Sequence, residues 1–93
     1  ALTRLLTSLD KRTTSLRTEL ESCETQGTFP SLETSASLGT LKRSLDEAAA
    51  TARREIVLEK REAAQETVSR LVGEYRLILN LHDRLKAQEQ QAK

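Results

Sequence analysis

Leucine recurs in a four-three rhythm over the first quarter of this chain. Leu2, Leu9, Leu16 and Cys23 are spaced by seven, and Leu6, Thr13 and Leu20 repeat at the same interval, four residues behind the first three. An α-helix carries such an interleaved set on one face as an a/d stripe. The other faces hold Arg4, Asp10, Lys11, Arg17, Glu19 and Glu21. The stripe predicts a helix over about 2–23. Its many Thr and Ser residues are mediocre helix formers, so that helix needs a partner face to be stable.

Two further stripes supply partners. Leu38, Leu41, Leu45, Ala48 and Ala52 form a second seam, and Ala64, Val68, Leu71, Tyr75, Ile78, His82 and Leu85 form a third. The alanines allow close approach of the helices. Gly27-Thr28-Phe29-Pro30-Ser31 is the strong loop signal, because Gly permits positive φ while Pro30 lacks an N–H and holds Phe29 extended. Either Thr28 or Ser31 is placed to cap the second helix, with Pro30 tolerated in its first turn. Ser35, Ser37 and Gly39 weaken that start, which is expected to fray or to begin near Gly39.

The second and third seams are out of phase by two residues. Carried forward, the second reaches Glu55 and Glu59; carried back, the third meets Arg61, Val57 and Arg54. The mismatch predicts a turn near residues 58–62. The predicted architecture is an all-α, antiparallel, up-down-up three-helix bundle, with helix 1 about 2–23, a loop at 24–31, helix 2 about 32–58 and helix 3 about 62–89. The alternative is a short helix packed on one long coiled-coil helix running from about Ser31 to Gln90, with the phase change as a stutter. Residues 59–65 contain no helix breaker, which favours the alternative. Leaving Leu71, Tyr75, Ile78 and Leu85 without cover favours the bundle, since burying each stabilises by roughly 1.5–3 kcal/mol.

Composition excludes more than it identifies. With 93 residues, no Trp, one Tyr and one Phe, an aromatic-rich core or a β-sandwich is not available. Fifteen Lys and Arg against 14 Asp and Glu leave a net charge of +1, without the basic excess of a nucleic-acid binder. One Cys rules out an internal disulfide framework or a multi-Cys zinc site and suits a reducing compartment. Three scattered glycines build no phosphate-cradling loop. Cys23 and His82 are the available nucleophile and base, and both sit on apolar stripes, where a small core residue and a seam histidine are the simpler assignments. Asp10, Asp46 and Asp83 are far apart in sequence. No catalytic residue, metal site or cofactor is expected, and no enzymatic activity. The chain starts at Ala1, and the expectation is a piece of a longer protein.

Association is what remains. In Arg76-Leu77-Ile78-Leu79-Asn80-Leu81, one stripe cannot bury all four apolar residues. Leu77 and Leu81 form an i,i+4 pair to one side of Ile78. Either helix 3 is wedged between the other two and buries a wide face, or Leu77, Leu81 and Leu85 present a partner-binding surface. Gly73, one turn earlier, either allows close backbone approach or is tolerated at a cost of about 1 kcal/mol.

The chain resembles the N-terminal region of Qb-type SNAREs of the early secretory pathway, the membrin class. The resemblance is carried by Ser31-Leu32-Glu33-Thr34-Ser35-Ala36-Ser37-Leu38 followed by Leu41 and Leu45, by the charged junction from Arg53 to Glu62, and by the ending from Glu74-Tyr75-Arg76 to Asp83-Arg84-Leu85-Lys86. It covers about 60 residues. It implies a cytoplasmic regulatory bundle at the cytosolic face of ER or Golgi membranes. Such a bundle binds tethering factors, coat components or its own fusion helix, and reaches the membrane through segments outside this chain. Without the resemblance, the seams equally fit a coiled-coil subunit of a tether, kinetochore or cytoskeletal linker.

Overall fold

The second seam ends at Ala52, and the chain reverses immediately after it. In the computed structural model, which describes residues 2–92, three helices follow one another: α1 (Leu2–Gln26), α2 (Leu32–Arg53) and α3 (Leu58–Ala92). Each packs against the other two. Cross-links give the directions. Asp10 meets Arg70 at 3.7 Å and Glu24 meets Arg84 at 3.8 Å, so α1 and α3 run in the same sense. Arg12 reaches Ser44 at 3.5 Å while Glu19 reaches Thr34 at 2.5 Å, so α2 runs against α1. The molecule is the up-down-up bundle, and the single long helix from Ser31 to Gln90 is not formed. Its extents are 53 × 18 × 18 Å. The 35 residues of α3, at 1.5 Å each, account for the long dimension.

The three seams meet as the core. Leu9, Leu20, Leu41, Ala48 and Leu71 are fully buried, joined by Leu16, Leu38, Leu45, Val68, Tyr75, Ile78 and Leu85. Leu5, Leu6 and Cys23 lie half-buried around it. Thr13 sits within the stripe and satisfies its hydroxyl locally, donating to the Leu9 carbonyl at 2.7 Å. Ala48 and Ala52 are fully buried on the α2 stripe.

The ends of the helices differ from expectation in instructive ways. Helix α1 continues three residues beyond Cys23 and stops at Gly27, whose φ of 73° is the left-handed geometry of a helix C-terminus. The Thr28 N–H closes it by donating to the Cys23 carbonyl at 2.9 Å. Ser31 is the N-cap of α2, with φ −76° and ψ 167° and its hydroxyl accepting from the Thr34 N–H. Pro30 therefore precedes the helix and is buried. The start of α2 does not wait for Gly39. The cap, together with the Thr34 hydroxyl donating to the Glu19 carboxylate, fixes the first turn against α1.

The second reversal lies at Arg54–Val57 rather than at 58–62, so α2 ends five residues earlier and α3 begins four residues earlier than expected. Continuing α2 would have pointed Glu55 into the core. The chain instead turns with ordinary backbone angles, Arg54 at φ −87° and ψ −6°. The Arg54 and Glu55 N–H groups donate to the Thr51 and Ala52 carbonyls at 3.1 and 3.2 Å. Val57 offers its carbonyl to Arg61 N–H at 2.8 Å, which starts α3. The strong helix formers at 59–65 then build the opening turns of α3, which also runs on to Ala92 rather than stopping at 89.

Candidate functional site

Gly73, Leu77, Leu81 and Leu85 follow one another at intervals of four on α3. Four residues advance the helix by 400°, so each step turns the row by about 40°. Over the row the direction changes by about 120°, and the structure shows the consequence. Gly73 is exposed, Leu77 is 71% exposed, Leu81 is half-buried against the core, and Leu85 is buried at 3%. The four residues thus do not form one surface. The row spirals from solvent into the bundle, and Leu85 is a core residue. A Cβ on Gly73 would meet nothing within 4 Å, so no neighbouring backbone approaches it within the chain.

Helix α3 does lie between the other two and buries a wide face. Val72, Leu79 and Leu81 all pack at the edges of the core beside Tyr75 and Ile78. Leu77 is the residue left over. Burial pushes the Tyr75 phenol above its ordinary value; nearby Lys42 acts in the opposite direction and Asp83 and Asp46 reinforce the burial.

The polar chemistry of the bundle gathers at a place the sequence did not suggest. His82 Nε2 lies 2.7 Å from the Ser35 hydroxyl, and its Nδ1 lies 3.1 Å from Asp83 Oδ1. The Asp83 carboxylate can only accept, so Nδ1 carries a proton and, in the neutral ring, Nε2 accepts from Ser35. Serine, histidine and aspartate thus stand in the order of a hydrolytic relay. The contacts join two helices. Ser35 sits in α2 with its own N–H donated to the Ser31 carbonyl at 3.1 Å, so that N–H is not free to hold an oxyanion. The relay ties the beginning of α2 to α3. Because Ser35 and His82 are 47 residues apart, no local pattern announces the pair.

Cys23 is a free, half-buried thiol, and both ring nitrogens of His82 are engaged elsewhere. Asp10, Asp46 and Asp83 are dispersed, each beside its own cation or ring: Arg70, Lys42 and His82. Among the described residues, no group of three His, Cys, Asp or Glu side chains is placed to hold a metal ion. The groove between α1 and α2 is lined by Lys11 and Arg12 together with Glu19 and Glu33, so it presents both signs of charge. No described helix is long and apolar enough to cross a membrane. No family model, no curated protein and no solved structure matches the chain.

Proposed function

We propose that this chain is a non-catalytic protein-interaction module: the cytosolic N-terminal regulatory bundle of a vesicle-trafficking SNARE of the membrin class. It takes as partners tethering factors, coat components or the protein's own fusion helix. Two things support the reading. The sequence resemblance runs through the opening of α2, the charged junction and the end of α3. The observation that carries the interaction role is Leu77, a large apolar side chain 71% exposed on a helix whose other large apolar residues beyond its first turn are buried or half-buried within the chain. An amphipathic helix laid along α3 would cover Leu77 without unfolding anything. The competing reading, a coiled-coil structural subunit, drew its strength from a continuous helix through residues 53–58, where the chain turns instead.

The test is to recover early-secretory SNAREs, tethers and coat subunits on the immobilised chain and to compare wild type with Leu77→Ser. Recovery should fall severalfold with helicity unchanged. Equal recovery by the variant removes Leu77 from the interface; absence of all three partner classes removes the SNARE reading. Leu81→Ser is a poor companion mutation, because Leu81 contacts the core. The mass of the isolated chain in solution is a second check. A helical monomer of 10.4 kDa supports a self-contained bundle, and a concentration-dependent dimer supports an assembly subunit.

A further inference from the structure

Lysine and arginine are spread through all three helices, and one of them stands outside. Among the described residues, Arg54 is the Lys or Arg that no helix contains. It follows Arg53, the last residue of α2, and precedes the non-helical Glu55, Ile56 and Val57. The first loop offers no counterpart, because the chain has no Lys or Arg from Thr18 to Leu41. Burial singles out the same place. From Arg53 to Ala63 no side chain is buried, the longest such run among the described residues; Glu55 and Arg61 are half-buried and the rest are exposed. The core resumes at Ala64. Few bonds hold the turn itself. The Arg54 and Glu55 N–H groups donate to the Thr51 and Ala52 carbonyls at 3.1 and 3.2 Å, and the Val57 N–H goes to the Glu55 carboxylate at 3.3 Å rather than to a carbonyl. Peeling this segment into an extended strand uncovers no core side chain, which places it at the low-stability end of the molecule.

We propose that the Arg53-Arg54 pair is a processing site for an arginine-specific endoprotease, and that the cut chain stays assembled. Such a protease takes its substrate extended, with a guanidinium in a carboxylate-bearing pocket, and exposed turns are where nicking concentrates. Water is the co-reactant. The C–N bond after Arg54 breaks, the Arg54 carbonyl takes the water oxygen and becomes a carboxylate, and the Glu55 nitrogen takes both water protons and becomes an ammonium. Lys60 and Arg61 lie in the same run but inside α3, where the Arg61 N–H donates to the Val57 carbonyl at 2.8 Å and its guanidinium reaches the Glu55 carbonyl at 3.5 Å. The products are α1–α2 and α3, and what joins them is the core. Leu71, Tyr75, Ile78 and Leu85 stay packed with the stripes of α1 and α2. Arg70 keeps Asp10, Arg84 keeps Glu24 and His82 keeps Ser35. All of these contacts lie outside the segment that opens, and Leu77 takes no part.

The test is limited digestion of the full, folded chain by trypsin, with the masses of the products followed in time. The first cut is expected after Arg53 or Arg54, giving residues 1–54 and 55–93 or the pair one residue shorter and longer. Both pieces should elute together at the position of the intact 10.4 kDa chain, with helicity retained. R53Q/R54Q should slow the loss of intact chain by about tenfold with helicity unchanged, since cleavage follows the population of the open segment and the fit of the exposed residue. R76Q removes an exposed arginine from the middle of α3 and should leave the rate as it is. A first cut at any other bond, simultaneous cleavage at many bonds, an R53Q/R54Q chain cut as fast as wild type, or pieces that separate on elution would each overturn the proposal.

Discussion

The two chain reversals of this bundle solve the same problem by different means. Between α1 and α2, local chemistry makes the turn: Gly27 takes the left-handed angle, Thr28 closes the helix end, and Ser31 caps the next helix. The apolar residues of that loop are covered, Pro30 fully and Phe29 partly. Between α2 and α3 there is no Gly, Pro or capping hydroxyl. That turn exists because the second seam runs out at Ala52, and it leaves Ile56 almost wholly in water. A turn written in its own residues covers the apolar groups within it, although Leu32, which opens α2 beside it, is 85% exposed. A turn imposed by the packing of its flanking helices takes whatever residues fall there.

The largest effects should come from the core that imposes the second turn. Leu71→Ala, at a fully buried position, should cost about 2–5 kcal/mol in chemical denaturation. A loss under 1 kcal/mol would mean that the turn is held by something other than helix packing.

Next comes the locally written loop. Gly27→Ala should destabilise by about 1 kcal/mol although its Cβ would meet no neighbour, because the backbone angle alone opposes it. Gly39→Ala and Gly73→Ala should do the reverse, each adding up to about 1 kcal/mol, since both sit in helices with open space around them. Ser31→Ala should cost about 1 kcal/mol through loss of the α2 cap. If the three glycines respond alike in thermal melts, the conformational argument for the first loop fails.

The unsigned turn should be the tolerant one. Ile56→Ser should change stability by no more than about 0.5 kcal/mol, as for an ordinary surface substitution. A large loss would show that Ile56 is covered in solution.

The smallest effect concerns Tyr75. Its folded pKa is raised above 10.0, chiefly by burial, so the native state keeps the proton to higher pH than the unfolded chain does. The associated stability is complete below about pH 10 and is lost as pH rises beyond it. Comparing Tyr75→Phe with wild type across that range isolates the contribution: the variant should show the shallower decline.

Much of this was legible because helical burial is periodic. Leu38, Leu41, Leu45, Ala48 and Ala52 could be placed in the core from spacing alone, as could Leu71, Tyr75, Ile78 and Leu85. Less legible was the reversal at Arg54–Val57. Residues 54–57 contain no breaker, and the phase mismatch marks a region rather than a residue. The candidate surface was only partly readable. Leu77 and Leu81 look equivalent as an i,i+4 pair, yet 40° of rotation places one in solvent and the other against the core. The Ser35–His82 contact was invisible, since residues 47 apart share no local pattern.

What the chain determines alone is its helical class and the face each stripe buries, since both follow from the 3.6-residue repeat and need only near neighbours in sequence. What the tertiary structure decides is where the second reversal falls, which edge of α3 remains outside, and that Ile56, Val57 and Leu58 stand at an exposed tip. Those outcomes depend on how three stripes dock together, and docking is a property of residues distant in the chain.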